Sequence, residues 1–303
     1  MDLHKINSQH SFVLLFFIIL LSPIISIFIY EISFLTAICF FLVVTIGISH
    51  GALDNIKGFK VLKSYEIKGK YFFYLTFILL SLLVILFWIL FPLLILLLFL
   101  LIASYHFGKE DSQFVIKKKR KFHDLSFLLK GSIVVLAPLM FHTEETTKIF
   151  EILNVQLTLT NKDILLPFII LSLLSNLLVV NFKMDHYAIY CDWITIVILN
   201  WFFDPLVAFT IYFCFLHSVR HSISLIYELN RNNSKKGLKR FIKKALPLTI
   251  ITGVLYLIAV FILTHSYDLD NAILKVIFIG LASLTFPHIL LEYLVEKNGK
   301  KRN

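Results

Sequence analysis

Two histidines one helical turn apart lie in the middle of a strongly apolar stretch of the chain. His217 and His221 occur in FCFLHSVRHSISLIY, residues 213–227, with Arg220 between them. Ionisable side chains inside a membrane segment are costly and usually functional. Residues four apart project from one helix face, and neutral imidazole is a good ligand for iron, copper and zinc. The spacing therefore predicts that this pair can bind one metal ion.

Three further histidines lie within or at the ends of apolar stretches. His50 falls in ISHGALD, His106 in SYHFGKED and His288 in FPHILLEY. A single histidine in a helical bundle more often makes a helix–helix hydrogen bond than binds a metal. The pair together with three more imidazoles favours a metal centre. The remaining histidines occur at termini, in loops or near span ends, where a solvated side chain is expected: His4, His10, His123, His142, His186 and His265.

Acidic residues follow three of these histidines at the spacing of one helical turn. The pairs are His50 with Asp54, His106 with Glu110, and His288 with Glu292. A metal-binding imidazole usually donates its second N–H to a carboxylate or a carbonyl. The spacing predicts such hydrogen bonds within each helix, with ordinary interfacial acids as an equally weighted alternative.

Other polar and aromatic residues of these segments have less specific expected roles. Arg220 should project from a different helix face than the two histidines, and either snorkel to the membrane surface or pair with an acid. Asp111 is expected to pair with lysines. Tyr105 and the aromatic residues near the histidines could line a slot for a long apolar substrate, although most of them are expected to face lipid. Pro287 can bend its helix beside His288.

The composition is that of an integral membrane protein. Of the 303 residues, 58% are hydrophobic and 16% are charged, and the mean hydropathy is +0.85. An average soluble domain is about half apolar and about one quarter charged. No internal repeat or glycine-rich phosphate loop is apparent, so residues 1–303 are predicted to form a single transmembrane domain. The three cysteines are too scattered for a disulfide framework.

The apolar blocks predict an all-α, polytopic integral membrane helical bundle. Each block approaches the roughly 20 residues that a helix needs to cross a bilayer. About ten transmembrane helices are predicted, at approximately residues 11–30, 33–50, 71–90, 92–108, 125–142, 164–181, 187–203, 205–229, 245–264 and 271–295.

Basic residues occur mainly in alternate connections between the predicted spans. They gather after the second, fourth, sixth and eighth spans and in the C-terminal tail, as in KKKRK at 117–121. Lysine and arginine favour the cytoplasmic side, so both termini are predicted to be cytoplasmic and the protein to lie in the cell (inner) membrane. The net charge of +10 then mostly faces anionic lipid, and nucleic-acid binding is not expected.

This topology places the five intramembrane histidines at similar depth. All five lie on even-numbered predicted spans, which run towards the cytoplasm, and near the inner ends of those spans. Four helices therefore bring imidazoles to one level of the bilayer. Their convergence on one metal centre is the prediction that follows.

Four short motifs carry a resemblance to a known family. HGALD at 50–54, YHFGKED at 105–111, HSVRH at 217–221 and PHILLE at 287–292 occur in this order over essentially the whole chain. In these motifs and their wide spacing, the sequence resembles the Brp/Blh family of bacterial and archaeal membrane carotene dioxygenases.

The resemblance implies a reaction and a set of site residues. Members of the family cleave β-carotene at its central 15,15′ double bond with O₂ and form two molecules of retinal. The resemblance implies Fe(II) held by four histidines, with no catalytic side chain beyond the metal centre, and makes a microbial rhodopsin an expected functional neighbour. The implied ligands are His50, His106, His217 and His221. The residues expected behind them or along the substrate slot are His288, Asp54, Glu110, Glu292 and Tyr105.

Three alternatives remain open from the residues alone. A polytopic transporter could use the histidines as a proton or metal-ion path, but such proteins often contain internal repeats and broken helices. A membrane desaturase or hydroxylase with a pair of irons needs more histidine ligands than converge here. A haem-binding subunit needs axial histidines that face each other across the bundle, and a pair on one helix does not supply that arrangement.

Overall fold

The computed structural model describes residues 3–32, 34–116, 122–157, 161–179 and 187–300. The side chains of six residues within these ranges also lie outside the description: Tyr30, His50, Ala52, Val179, Gly299 and Lys300. Throughout the described ranges the regular structure is helical, and they contain no β-strand. The predicted all-helical fold class is confirmed.

The α-helices are numbered in chain order. They are α1 (Leu3–Phe28), α2 (Leu35–Leu42), α3 (Asp54–Ser64), α4 (Tyr71–Leu90), α5 (Pro92–Glu110), α6 (His123–Gly131), α7 (Ile133–Phe141), α8 (Thr143–Ile152), α9 (Leu165–Val179), α10 (Tyr187–Phe202), α11 (Pro205–Ile211), α12 (Val219–Leu229), α13 (Ser234–Leu263) and α14 (Leu269–Lys300).

Each of the ten predicted apolar segments contains a helix. Within the described ranges, seven helical stretches are long and apolar enough to cross a membrane by length and composition. The stretch Leu35–Gly47 and helix α10 are apolar but shorter. The exact number of spans and the orientation of the termini stay predictions. Helices α1 and α13 begin before the predicted spans because hydropathy marks the lipid-facing part, whereas backbone hydrogen bonding continues into polar turns.

Burial separates central from peripheral helices. In the apolar part of Pro205–Leu229, 61% of residues are buried, and in Leu269–Asn298 the share is 50%. In Tyr71–Leu90 the share is 11%. Helices α11, α12 and α14 therefore form the centre of the bundle, and α4 presents most of its apolar side chains to lipid.

Two π-helical segments occur in the described residues, and one of them interrupts the central stretch Pro205–Leu229. Val43–Gly47 follows α2 and leads through the 3₁₀ segment Ile48–Leu53 into α3, and Tyr212–Ser218 joins α11 to α12. The two segments contact each other, and the Ser218 hydroxyl donates a hydrogen bond of 3.0 Å to the Gly47 carbonyl. The wider π turn frees backbone carbonyls, and such segments are frequent at functional sites. His217 thus lies near the end of a π segment, and His221 lies in the α-helix that follows it.

Close helix contact positions the C-terminal end of α5. A Cβ atom at Gly108 would overlap the backbone carbonyl of Phe127, and one at Gly131 would overlap that of Ser104. Helices α5 and α6 can therefore approach at this depth only with glycine at both positions. The contact holds the last turn of α5, where His106 and Glu110 are located.

We expect Gly108→Ala to destabilise the protein. The added methyl group meets a backbone carbonyl that cannot move independently of its helix, and overpacking of this kind costs about 1–3 kcal/mol. Thermal unfolding in detergent, followed by the loss of monodisperse protein in size-exclusion chromatography, measures the effect. Gly253→Ala on α13 is the matched control, because its nearest neighbour is a side-chain methyl of Val44 at 3.0 Å. Equal stability of the two variants would contradict the packing argument.

Candidate metal centre

Four histidine rings cluster near one end of the central helices. His106 comes from α5, His217 from the π segment Tyr212–Ser218, His221 from α12 and His288 from α14. The ring centroids of His106 and His217 are 5.4 Å apart, those of His106 and His288 are 5.2 Å apart, and those of His221 and His288 are 6.2 Å apart. All four residues are buried. Because the π segment and α12 belong to one continuous stretch, Pro205–Leu229, three continuous helices thus bring four imidazoles close together.

Three of the rings present Nδ1 to a carboxylate at hydrogen-bonding distance. The Nδ1–oxygen distance is 3.2 Å from His217 to Asp111, 2.9 Å from His221 to Glu110 and 2.7 Å from His288 to Asp54. An ionised carboxylate only accepts hydrogen bonds, so these contacts favour the tautomer with the proton on Nδ1. In a neutral imidazole of that tautomer, Nε2 carries the lone pair that can bind a metal.

His106 faces a fourth carboxylate at longer distance. Its Nδ1 lies 3.6 Å from Oε2 of Glu292, while Oε1 of Glu292 lies 3.7 Å from Nε2 of His288. His106, His288 and Glu292 can offer one ligand atom each within 4.8 Å of one another, and the same holds for Glu110, His221 and Glu292. The cluster therefore has a donor set of imidazole nitrogens and carboxylate oxygens that fits a transition metal such as iron.

The acids are paired differently from the sequence expectation. Glu110, expected to bond His106 on its own helix, contacts His221 of α12. Asp54, expected to bond His50, contacts His288 of α14. Rings that point towards a common centre also point towards the neighbouring helices, so the nearest carboxylate comes from another helix. Glu292 keeps a contact with the histidine four residues before it, His288, whereas a contact of Asp54 with His50 lies outside the described side chains.

His50 lies partly outside the described residues. Its backbone belongs to the 3₁₀ segment Ile48–Leu53, which ends next to Asp54. Its side chain is not among those that the structure describes, so its role as a metal ligand stays a prediction.

Lys57 places a positive charge next to the carboxylates of the cluster. Its ammonium lies 3.4 Å from Oε1 of Glu292. Burial lowers the pKa of Lys57, but the carboxylates of Glu292, Asp54 and Glu110 outweigh that effect and raise the pKa above its usual value. Lys57 is therefore charged at neutral pH and offsets part of the negative charge around the histidines.

An apolar cavity of about 700 Å³ reaches the cluster from one side. Helices α4, α5 and α14 line it, with Leu83, Ile102, Tyr105, His106, Pro287 and Leu290 among the lining residues. The Tyr105 hydroxyl donates a hydrogen bond of 2.8 Å to Asp124. Tyr105 and Pro287 thus line an apolar cavity that also exposes His106, while the role of Tyr105 in a substrate slot stays a prediction.

A second, polar cavity of about 640 Å³ reaches the cluster from another side. His217 and His221 line it together with Glu110, Lys57 and Glu228. The two cavities share the residues Lys109, Glu292 and Glu296, so a wall of charged residues separates them. The histidine cluster is therefore accessible to an apolar molecule and to small polar species by different routes.

The sequence reasoning missed several buried polar residues around His217. Arg220 pairs with Asp192 of α10. The sequence analysis allowed Arg220 to pair with an acid but did not identify which acid. Asp111 does not pair mainly with lysines: its carboxylate accepts from the Tyr212 hydroxyl at 2.7 Å and contacts His217, while Lys130 donates to its backbone carbonyl. The sequence signal that could have identified this pair is Asp192 itself, because an acid within an apolar helix needs a partner.

We expect Glu110→Gln to weaken metal binding about 10–100-fold, because His221 loses the ionised acceptor that holds its Nδ1 proton. Competition with a chromogenic chelator measures the affinity of the purified protein. Glu228→Gln removes an equal charge from the same polar cavity and should bind metal as the wild type does. An effect of equal size in both variants would assign the loss to general charge rather than to the imidazole contact.

Two sequence comparisons with known proteins found matches. A family model described as beta-carotene 15,15'-dioxygenase matches residues 41–296, a range that contains all the clustered histidines. A beta-carotene 15,15'-dioxygenase from an uncultured marine bacterium, 66A03, is 34% identical over 257 residues, which cover 82% of this chain and 90% of the relative. No solved structure matches the chain.

Proposed function

Because the chain belongs to the beta-carotene 15,15'-dioxygenase family, we propose that it is a multi-pass membrane enzyme that cleaves β-carotene with O₂ at an iron(II) centre. The observation that carries the proposal is the buried cluster of His106, His217, His221 and His288 beside an apolar cavity. Cleavage of the central 15,15′ double bond would put one oxygen atom of O₂ into each of two retinal molecules.

The metal would be held by His106, His217 and His221, with His50 as the fourth predicted ligand. Neutral imidazoles suit ferrous iron, and the carboxylates facing Nδ1 would fix the tautomer that leaves Nε2 for the metal. His288 and Glu292 would complete the cluster beside these ligands. When bound, iron(II) would supply the redox chemistry that lets O₂ react with a carbon–carbon double bond.

The apolar cavity would bind the substrate. β-Carotene is soluble in lipid, and α4, which lines the cavity, is largely exposed to lipid. We therefore propose that the polyene enters sideways between helices and places its central double bond beside His106. Apolar side chains of α4, α5 and α14 would hold and align the chain, so no side-chain nucleophile is needed.

The cellular setting belongs to the same proposal. The whole chain, residues 1–303, would form a single domain in the cell (inner) membrane with both termini in the cytoplasm, where its basic residues meet anionic lipid. Retinal released into the bilayer would be available to a retinal-binding membrane protein such as a microbial rhodopsin.

The function can be tested in a host that accumulates β-carotene. We expect the wild-type protein to lower β-carotene and produce retinal, and His217→Ala/His221→Ala to lose more than about 100-fold of the activity because two ligands are removed. Chromatography quantifies both compounds, and elemental analysis of the purified protein measures bound iron.

Metal removal gives the control for this experiment. Chelation should abolish cleavage by the purified enzyme, and ferrous iron should restore it where zinc does not. Untouched carotene in aerated cells, despite abundant iron-loaded protein, would refute β-carotene as the substrate. Wild-type protein without any bound metal would favour the transporter instead.

A narrower cavity should impair substrate binding without affecting the metal. Leu290→Trp, in the apolar cavity, is expected to raise the KM for β-carotene about tenfold, which corresponds to about 1.4 kcal/mol of lost binding. Leu257→Trp on lipid-exposed α13 is the matched control. Steady-state kinetics in detergent or nanodiscs measures KM. An unchanged KM in Leu290→Trp would place the substrate elsewhere.

A further inference from the structure

A buried ion pair joins α10 to the helix that carries two of the clustered histidines. The Arg220 guanidinium donates to both carboxylate oxygens of Asp192, with N–O distances of 2.7 and 2.9 Å. Arg220 is 3% exposed and Asp192 is 2% exposed. A two-point contact between a planar guanidinium and a carboxylate determines the direction of both side chains as well as their distance.

Other elements hold the same guanidinium from further directions. Its second terminal nitrogen donates to the Ser11 hydroxyl of α1 at 2.7 Å. The ring of Phe114, after α5, lies 4.9 Å from the guanidinium carbon. Arg220 is thus held by α1, α10 and the segment after α5, and α12 cannot rotate about its axis without breaking these contacts.

The guanidinium also reaches the carboxylate that contacts His217. One terminal nitrogen of Arg220 lies 3.9 Å from Oδ1 of Asp111 and 3.4 Å from the Asp111 carbonyl oxygen. The same Oδ1 atom lies 3.2 Å from Nδ1 of His217. A continuous chain of contacts therefore runs from Asp192 through Arg220 and Asp111 to His217.

Stability alone does not account for this arrangement. Burying an ion pair costs about as much as the pair returns, and apolar residues of similar volume often stabilise a protein equally well. A charged side chain within a membrane helix is costly as well. The histidine cluster, in contrast, needs the orientation that the pair imposes, because Arg220 lies between His217 and His221 on the same helix.

The π segment Tyr212–Ser218 makes the orientation of the following helix more dependent on such an anchor. An extra residue in a helical turn shifts the angular register of everything that follows. Arg220 is two residues beyond this segment, so its anchoring selects the register of α12 in which His221 faces the cluster beside His217.

From these contacts we propose that Asp192 is a positioning residue of the metal centre, which acts through Arg220 to set the orientation of His217 and His221. The inference rests on the proposed function, since it assigns a role towards the metal of that site. Asp192 touches neither the histidines nor the apolar cavity among the contacts described, and it acts only through other side chains.

Asp192→Asn is the informative substitution, because it keeps the shape of the side chain and removes its charge. We expect metal affinity and kcat to fall about 10–100-fold, the size usual for a residue that supports a metal ligand. The KM for β-carotene should stay within about twofold, because other helices line the cavity. A purely structural defect would lower the amount of active protein and leave the kcat of the folded, metal-loaded fraction unchanged.

Cobalt(II) is the probe that separates positioning from folding. Its visible absorption reports the ligand arrangement directly, and its affinity can be titrated without turnover. The spectrum of Asp192→Asn should differ from that of the wild type. Lys275→Gln is the matched control: Lys275 is also buried, at 4% exposure, and donates to Asn154 away from the histidines, so its loss should leave the cobalt spectrum unchanged.

A double variant covers the case in which Asp192→Asn does not fold. Asp192→Asn/Arg220→Gln leaves no unpaired buried charge, and it should bind cobalt no worse than Arg220→Gln alone because both changes break one chain of contacts. Wild-type cobalt affinity, spectrum and kcat in Asp192→Asn, or in the double variant, would overturn the inference. A wild-type protein that binds no metal would overturn the proposed function and this inference together.

Discussion

The arrangement of the bundle depends on the pairing of buried ionisable groups. A charged or strongly polar group in an apolar interior is tolerated only when it is hydrogen-bonded or paired. Here Asp54, Glu110 and Asp111 each contact an imidazole, and Asp192 contacts a guanidinium. Because each of these contacts joins two helices, the pairing also determines which helices lie next to each other around the histidines.

The two cavities show how one cluster can serve two kinds of molecule. The apolar cavity exposes His106 between α4, α5 and α14, and the polar cavity exposes His217 and His221. Their shared wall contains the Lys109–Glu296 ion pair, with an N–O distance of 3.1 Å. An apolar molecule and small polar species can therefore approach different histidines of the same cluster without sharing a path.

Irregular helical segments also occur next to the histidine cluster. Gly108 of α5 and Gly131 of α6 allow close backbone contact, and the π segments change the helical register. Regular helices with larger residues would hold α5 and α6 further apart and would rotate the histidines of α12 differently. Close packing and irregular winding thus act together to bring imidazoles from separate helices to centroid distances of 5.2–6.2 Å.

The sequence alone determined the all-helical membrane architecture, because hydropathy is a local property. The rarity of ionisable residues in apolar segments is local as well, and it predicted a cluster of five histidines. The structure brings four of the five together, His106, His217, His221 and His288, and the substrate slot beside Tyr105 stays a prediction. Only the tertiary structure decided that Glu110 contacts His221, that Asp54 contacts His288, and that Arg220 pairs with Asp192. The physical reason is that helical spacing determines which residues share a face, whereas the partner across a helix–helix contact depends on packing distances that no periodicity in the chain encodes.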